Sequence, residues 1–366
     1  MAHDRPLVTI SILSYNDEET IEAAVKSAAL QLYPAIEILV LDNNSQDGTR
    51  QILKNLRDRL PGLRAAHLRE HGKESSIFRC HVLESSENLG FAKGHNKLIS
   101  LSQGSLVLLL NSDAGLDDNF ISYALPYFER DRKLAAMQGK LYRYDVAAQE
   151  TVKDAKTRKS VIDTTGLVLF RNRRIINRGQ GVPDIGQFEN EEEVFGADGA
   201  APLYRKTALE DVKICLGARC EYLDEDFFAY KEDVDIAWRL RLAGWKTLYV
   251  PGAIGYHQRG SGESAATSYF KILGERRKLS RFAKYHAFKN QRLMQLKNEL
   301  PYLLFRDMLR WIPKEFASWF YILFFERFTW KAIGDIFLLL SRMLKKRRMI
   351  MKRRSATTKE MARWFV

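Results

Sequence analysis

The stretch LVTISILS at residues 7–14, followed by IEILVL at residues 36–41, decides the fold. Each segment is a continuous apolar run, which is the pattern of a buried strand in a parallel sheet. A helical pattern lies between them, and a second helix is predicted to begin near Gly48. Strand, helix, strand and helix at this spacing form a βαβ unit. The sequence therefore predicts an α/β fold with a doubly wound sheet.

Polar side chains follow the predicted strands where each strand ends. A further apolar strand, LVLLL at residues 106–110, precedes the last of these groups. Ligands of such sheets bind beyond the carboxyl ends of the strands. Burying the Asp113 carboxylate beside other carboxylates at these strand ends costs free energy unless a counter-charge is present. A divalent cation with a bound diphosphate would supply that counter-charge. The alternative is an aspartate that only caps a turn. The polar residues at these ends are Ser14, Tyr15, Asn16, Asp42, Asn111, Ser112 and Asp113.

The segment ENLGFAKGHN at residues 87–96 carries two glycines, Gly90 and Gly94, where a helix is predicted to begin. Glycines permit a close backbone approach, and the N–H groups of a helix N-terminus suit a phosphate. Turns use the same residue types, so this segment alone is a weak indication.

The segment FFAYKEDVDIAWRLRLAGW at residues 227–245 predicts a largely buried helix. Glu232, Asp235 and Arg239 share one narrow arc, and Asp235 and Arg239 are spaced to pair. Asp233 lies off that arc in the first turn, where the helix dipole favours an ionised carboxylate. Such a carboxylate suits a general base. The alternative is a capping acid with a surface salt bridge.

Two segments nearby complete the candidate site. GADGAA at residues 196–201 predicts a strand of small residues that lets a ligand lie close. The loop at residues 255–261 carries His257, and a lone histidine is more often structural than a metal ligand.

Composition limits the classes of protein that fit. The chain has 366 residues, enough for two to three domains or for one large domain with an appendage. Cys80, Cys215 and Cys220 suggest no paired framework, which fits a reducing cytoplasm. The first residues show no signal-peptide pattern.

The net charge of +13 is unevenly placed. Residues 264–366 hold 24 Lys and Arg against 7 Asp and Glu, a net of +17, which leaves −4 for residues 1–263. Residues 311–344 are rich in aromatic residues, but their longest uncharged run, residues 316–325, is about half of the ~20 residues that a membrane span needs. An amphipathic helix in the membrane plane fits, with KKRR at 345–348 and KRR at 352–354 attracting anionic lipid. The alternatives are a helical hairpin on the catalytic domain and a dimer interface.

In this order and spacing, the motifs over about residues 7–300 resemble those of inverting GT-A glycosyltransferases of family 2, and most closely the rhamnosyltransferase-like branch. The resemblance implies a Rossmann-like α/β fold with a mixed, mostly parallel sheet flanked by helices, followed by a C-terminal amphipathic helical extension. The matching stretches are SILSYN (11–16), VLDNNSQDGT (40–49), ENLGFAKGHN (87–96), LNSDA (110–114), VFGADGAAPLYR (194–205), DEDFFAYKEDVDIAWRLRLAGW (224–245) and YHQRGSG (256–262).

The resemblance implies a role for each matching residue. Asp113 and His257 would hold Mg²⁺ or Mn²⁺, although Asn111 stands where the family usually has the first aspartate of its metal motif. Asp233 would be the catalytic base, with Glu232 beside it. Asp198, Gly199 and Arg239 would contact the acceptor. The implied donor-binding residues are Ser14, Tyr15, Asn16, Asp42, Asn88, Gly90, Gly94, Asn96, Asn111 and Ser112.

The resemblance also implies an activity and a location. The Gln-x-x-Arg-Trp motif of processive relatives is absent, which favours transfer of a single sugar. We expect L-rhamnose from dTDP-rhamnose, or a hexose or N-acetylhexosamine from a UDP-sugar, moved to a polyprenyl-diphosphate-linked saccharide in cell-surface polysaccharide synthesis. The expected location is the inner face of the plasma membrane, with no nucleic-acid partner and with a possible homodimer through the C-terminal helices.

The expected organisation is a catalytic domain at 1–265, with a nucleotide-sugar half at 1–120 and an acceptor half at 121–265. A basic helical region at 266–366 would associate with the membrane. Two other classes stay open, a nucleic-acid-binding protein and an inactive scaffold on the same fold. The charge lies outside the predicted sheet, which disfavours the first, and the set Asp42, Asp113, Asp233 and His257 disfavours the second.

Overall fold

A computed structural model describes residues 5–144, 161–258 and 269–366, with side chains in the last range described from residue 272. The fourteen strands within these ranges are β1 Val8–Ser14, β2 Ala35–Asp42, β3 Ile77–Glu84, β4 Leu106–Asn111, β5 Ala114–Leu116, β6 Leu134–Arg143, β7 Ile162–Thr164, β8 Leu167–Leu169, β9 Ile175–Asn177, β10 Glu192–Glu193, β11 Leu203–Arg205, β12 Ile214–Leu216, β13 Arg219–Glu221 and β14 Lys246–His257.

The described helices follow the strands in alternation and then gather at the end of the chain. They are α1 Ile21–Ala29, α2 Thr49–Glu70, α3 Gly90–Leu101, α4 Phe120–Arg130, α5 Lys206–Val212, α6 Glu232–Leu242, α7 Tyr269–Lys278, α8 Arg281–Asn298, α9 Pro301–Arg306, α10 Met308–Phe325, α11 Trp330–Lys352 and α12 Thr358–Ala362.

One ten-stranded sheet forms the centre of the molecule. Its order is β10-β14-β6-β11-β4-β1-β2-β3, with β5 on β14 and β7 on β6. Strands β4, β1, β2 and β3 are parallel, and β11 runs antiparallel between β4 and β6. The apolar runs that predicted β1, β2 and β4 are buried, as strands covered on both faces must be. The predicted mixed α/β fold is confirmed.

The predicted strand at residues 196–201 is wrong, because the strand in this region, β11, begins at Leu203. The Asp198 carboxylate accepts a hydrogen bond from the backbone N–H of Ala200 at 2.9 Å, which closes a turn on itself. The small residues therefore bring the chain close to the site as a loop.

Cys215 and Cys220 form a disulfide, so the prediction of no cysteine pairing is wrong. The two residues lie directly opposite each other in the β12–β13 hairpin. Their spacing of five gave no indication of the hairpin. Cys80 is a free cysteine.

The C-terminal helices share a hydrophobic core with α6. Trp238 of α6 packs in one cluster with Met294 of α8, Met343 and Ile350 of α11, and Phe365. The division at residue 265 stays a prediction about the organisation of the chain. Within the described residues, no helix is both long enough and apolar enough to cross a bilayer.

A buried charge cluster joins α11 to the segment that precedes α6. The Lys346 ammonium lies 2.5 Å from carboxylate oxygens of Glu221 and Asp224 and 2.8 Å from Asp226. Lys346 is fully buried, so the prediction that it attracts lipid is wrong. An interior acid cluster needs a cation, and Lys346 supplies one.

Candidate active site

The carboxyl ends of three parallel strands meet at one edge of the sheet. Ser14 at the end of β1 lies in register with Asp42 of β2, and Leu13 lies in register with Asn111 of β4. The order β4-β1-β2 places the polar residues that follow these strands along one crevice, as the sequence predicted.

A cavity of about 810 Å³ opens beside this edge. Residues from the β4–β5 turn, the 198–200 loop, the start of α6, the end of β14 and α8 line it. It therefore gathers groups predicted separately between Asn111 and His257. The predicted site residues among its lining are Asn111, Asp113, Asp198, Gly199, Glu232, Asp233 and His257.

His257 lies between two carboxylates. Its Nε2 is 3.3 Å from Asp113 Oδ1, and its Nδ1 is 2.9 Å from Asp163 Oδ2. Burial lowers the pKa of His257, but hydrogen bonds and charge from Asp113 and Asp163 outweigh burial and raise that pKa to about 10. Without a metal, the imidazolium is thus the counter-charge that Asp113 needs.

The same group of side chains fits a divalent cation. Asn111 Oδ1 lines the cavity, is buried and has no hydrogen-bond partner among the described residues. Burying an amide oxygen without a hydrogen-bond partner costs free energy unless a ligand interacts with that oxygen. Carboxylate and amide oxygens with one imidazole nitrogen suit Mg²⁺ or Mn²⁺. The carboxylate of Asp163 behind His257 is the orienting partner typical of metal-bound histidines.

Three carboxylates converge at the start of α6. Burial, and then the charge of Asp198, raise the pKa of Asp233 to about 6. Burial, and then the charge of Asp233, raise the pKa of Glu232 to about 8. At neutral pH, Asp233 is mainly ionised and Glu232 mainly protonated. Adjacent acids with separated pKa values are suited to different roles in one reaction.

The loop before α6 has a strained backbone that hydrogen bonds from α8 hold in place. Phe228, Tyr230 and Lys231 have φ of 66°, 71° and 75°, in the left-handed region that side chains rarely adopt. The Asn290 amide of α8 donates to the carbonyls of Phe227, Ala229 and Tyr230 at 3.0, 2.8 and 2.8 Å. Strain of this kind persists only where surrounding structure enforces it, and Asn290 does so here.

The predicted contact of Asp42 with the donor would compete with an existing partner of this carboxylate. The buried Asp42 carboxylate accepts from Arg50 Nε at 3.1 Å and from Arg50 Nη2 at 3.0 Å. Arg50 is partly exposed, so a base that reached Asp42 would have to displace it. Tyr15 is 44% exposed beside this position and is open to a stacked ring.

Asn88, Gly90, Gly94 and Asn96 do not line the cavity in the described structure. Asn88 Oδ1 accepts from the side chain of Asn43 and from the N–H of Gly90, both at 2.9 Å. A Cβ on Gly94 would lie 2.6 Å from the side chain of Leu13, so this glycine permits α3 to approach β1.

The role predicted for Asn96 is corrected by its contacts. Asn96 is buried and bonds both backbone groups of Leu223, the N–H of Tyr222 and the carboxylate of Glu225. These bonds tie α3 to the segment before α6 and occupy the amide, so it is not available to the donor.

Arg239 is likewise a structural residue and not an acceptor contact. It is 2% exposed and pairs with Asp235 at 3.0 Å. It also donates to the carbonyls of Val212 and Tyr222. The predicted i,i+4 pair is confirmed, but it is buried and away from the cavity.

Sequence reasoning missed Asp17 and Asp163. Asp17 accepts from Ser14 Oγ at 3.0 Å and from the N–H of Tyr15 at 2.8 Å. Burial raises the pKa of Asp17, although hydrogen bonds from Ser112, Tyr15 and Ser14 oppose the shift. Asp163 pairs with His257, which lies 94 residues away. No local pattern indicates that pairing.

Two predicted residues and one predicted motif remain to be placed. Asn16 Oδ1 accepts from the N–H of Gln46 at 2.7 Å and so fixes the loop after β1. Ser112 sits in the turn between β4 and β5, beside Asp17. The end of the motif at 256–262 lies outside the described residues from 259 onward.

Solved structures of other proteins share this fold. The chain matches TarS 1–349 of *S. aureus* in complex with UDP-GlcNAc at 16% identity, over 94% of this chain and 90% of that one, with a TM-score of 0.52. It matches the mannosyltransferase PcManGT of *Pyrobaculum calidifontis*, in complex with GDP-Man and Mn²⁺, at 14% identity and a TM-score of 0.50, over 95% and 86% of the two chains. Both likenesses place the chain in the GT-A class of folds.

The model of glycosyl transferase family 2 matches residues 9–212, more than half of the chain. The chain belongs to this family, which confirms the predicted class of enzyme. Curated relatives include poly-beta-1,6-N-acetyl-D-glucosamine synthases of *Staphylococcus aureus* and *Staphylococcus epidermidis*, each 22% identical over 251 residues. The match covers 68% of this chain and 48% of those proteins, so the chain spans about half the length of these relatives.

Proposed function

We propose that this protein is a metal-dependent inverting glycosyltransferase that moves one sugar from a nucleotide-diphosphate donor to an acceptor hydroxyl. The observation that carries the proposal is that one cavity is lined both by the Asp113–His257 pair and by Asp233. The proposed metal is Mg²⁺ or Mn²⁺, held by Asp113 and His257 with help from Asn111.

The proposed chemistry follows from the charges around the cavity. A bound cation supplies charge neutralisation for the departing diphosphate. The Asp233 carboxylate takes the proton of the attacking hydroxyl, because it is the acid that is mainly ionised near pH 7. Protonated Glu232 would donate a hydrogen bond to the acceptor, because its Oε2 is buried and has no hydrogen-bond partner among the described residues. Asp198 is held by Asn177 at 2.7 Å and raises the basicity of Asp233.

Two donors are in competition. The resemblance of the motifs favours dTDP-rhamnose. The UDP-GlcNAc complex among the fold neighbours, and the relatives named for an N-acetylglucosamine polymer, favour UDP-GlcNAc. Both donors offer a pyrimidine ring to Tyr15 and a diphosphate to the metal site, so the described residues support either one.

The proposed acceptor is a saccharide on a polyprenyl diphosphate, met at the inner face of the plasma membrane. Support comes from exposed apolar side chains that recur along one face of α9 and α10 and continue on α11. They include Phe305, Leu309, Ile312, Phe316, Phe320, Phe324, Phe337 and Leu338. An exposed patch of this kind is an interaction surface, and nearby exposed cations suit anionic lipid. A homodimer through the same face is the competing proposal.

The test is turnover of a donor panel by purified protein. dTDP-rhamnose, UDP-GlcNAc, UDP-glucose and UDP-galactose are each supplied with Mg²⁺, Mn²⁺ or EDTA, and release of nucleoside diphosphate is measured. We expect slow metal-dependent hydrolysis of one donor, lost with EDTA and in Asp113→Ala. Absence of binding and hydrolysis for every donor with either metal would contradict the proposal.

A further inference from the structure

A second cluster of potential metal ligands lies outside the cavity, where the end of α2 meets the loop after β5. His67 and His71 are one helical turn apart, and Asp118 faces them from the loop. One ligand atom from each of the three lies within 4.8 Å of the other two. The His67 and His71 rings are 4.5 Å apart between centroids.

The tautomer of His71 leaves a nitrogen available for a metal. His71 Nδ1 is 2.9 Å from the carbonyl oxygen of His67, which can only accept a hydrogen bond. Nδ1 therefore carries the proton, and Nε2 of the neutral ring keeps its lone pair. A hydrogen bond from the second ring nitrogen to a carbonyl is the usual support of a histidine that binds a metal.

His67 has a buried ring nitrogen that no described residue satisfies with a hydrogen bond. Its Nε2 is buried and has no hydrogen-bond partner among the described residues. It lies 3.6 Å from Asp118 Oδ2, which is too long for a hydrogen bond. Tetrahedral Zn²⁺ with bonds of about 2.0–2.1 Å holds its ligand atoms about 3.3 Å apart, so this separation is close to that of a shared ion.

The framework that presents these ligands is fixed before any metal binds. Arg64, one turn before His67, donates to the carbonyls of Ala29, Gln31 and Tyr33 at 2.6–2.7 Å. The Asp118 carbonyl accepts from the N–H of Leu32, in the same loop, at 2.7 Å. Helix and loop are thus anchored to one segment, which holds the three ligand residues near one another.

We propose that His67, His71 and Asp118 bind one Zn²⁺, with water as the fourth ligand. Two imidazoles and one carboxylate form a donor set that Zn²⁺ commonly takes. The ion would clamp the C-terminus of α2 to the loop that follows β5. This site is distinct from Asp113 and His257 and does not depend on the proposed transferase activity.

The test is calorimetric titration of Zn²⁺ into the full-length Asp113→Ala protein, in which the catalytic metal site is disabled. We expect one equivalent to bind. Adding His71→Gln should weaken binding at least tenfold, whereas adding His81→Gln, at an exposed histidine on β3, should leave it unchanged. Circular dichroism checks the fold of each variant, and Asp118→Asn gives a second, isosteric loss of a ligand.

Thermal unfolding gives an independent readout of the clamp. In the Asp113→Ala background, Zn²⁺ should raise the Tm of the protein with and without His81→Gln, but not that of the protein with His71→Gln. No Zn²⁺ binding by Asp113→Ala, or equal binding by the His71→Gln and His81→Gln variants in that background, would overturn the proposal.

Discussion

Asp233 sets the expected pH dependence at the scale of single residues. A base acts only when ionised, and burial with the charge of Asp198 raises the pKa of Asp233 to about 6. We predict that kcat/KM falls below about pH 6, by tenfold per pH unit, rather than below pH 4. The pH–rate profile of the wild-type protein measures this limb.

The same profile tests the role of Glu232. If its protonated form is needed, kcat/KM should fall above about pH 8, where Glu232 ionises beside Asp233. The Glu232→Gln variant should lose this alkaline limb and keep the acidic one. An unchanged alkaline limb in Glu232→Gln would show that another group titrates there.

Asp163 carries a second prediction at this scale. Its carboxylate lies 2.9 Å from His257 Nδ1 and orients the ring whose other nitrogen faces Asp113. We predict that Asp163→Asn lowers the affinity for Mn²⁺ by 10–100-fold, the usual cost of losing such a partner. Donor-dependent Mn²⁺ titration measures the change, with Asp58→Asn on the exposed side of α2 as control. Equal affinities in the two variants would contradict this role.

At the scale of elements, the buried Lys346 ammonium attaches α11 to the segment before α6. Removing its charge leaves Glu221 without its cation, whereas Asp224 keeps Lys297 and Asp226 keeps Arg342. We predict that Lys346→Met lowers the free energy of unfolding by about 3–5 kcal/mol, as expected when one partner of a buried pair is removed. Urea unfolding measures it.

Lys345→Met is the matched control for that prediction. Lys345 is the exposed neighbour on the same helix and also loses one positive charge when replaced. It should change stability by no more than about 0.5 kcal/mol. Similar losses of unfolding free energy in both variants would mean that the charge of the helix, and not the buried cluster, determines the effect.

Elements also show what the sequence could and could not predict. The ends of β1, β2 and β4 were predictable, because parallel strands place their carboxyl ends at one edge. The partners of Asn96 and Arg239 were not, because both side chains reach residues 222–225 or 212 through tertiary contacts. Lys346 resembles its exposed neighbours in sequence, and only packing separates them.

At the scale of the whole molecule, the exposed apolar face predicts membrane binding. Phe324 is 63% exposed and Leu338 is 81% exposed on α10 and α11. We predict that Phe324→Asp with Leu338→Asp reduces sedimentation with anionic vesicles at least tenfold, since both apolar contacts are lost. Added salt should weaken binding of the wild-type protein.

Ile185→Asp provides the control for that experiment. Ile185 is 85% exposed in a loop far along the chain from the C-terminal helices. Its replacement should leave vesicle binding unchanged. A different result would make the face a protein interface. In that case the wild-type protein does not bind anionic vesicles but forms a dimer, and the double variant Phe324→Asp with Leu338→Asp is monomeric.

The most direct test of the central claim compares donor binding with transfer in Asp233→Asn. We predict intact metal-dependent donor binding and a loss of turnover of about 10²–10⁴-fold. The free energy of unfolding of Asp233→Asn should not fall near pH 7. The raised pKa of Asp233 means that its ionised form destabilises the fold above about pH 6. The asparagine removes that charge. Wild-type turnover in Asp233→Asn would show that Asp233 is not the base.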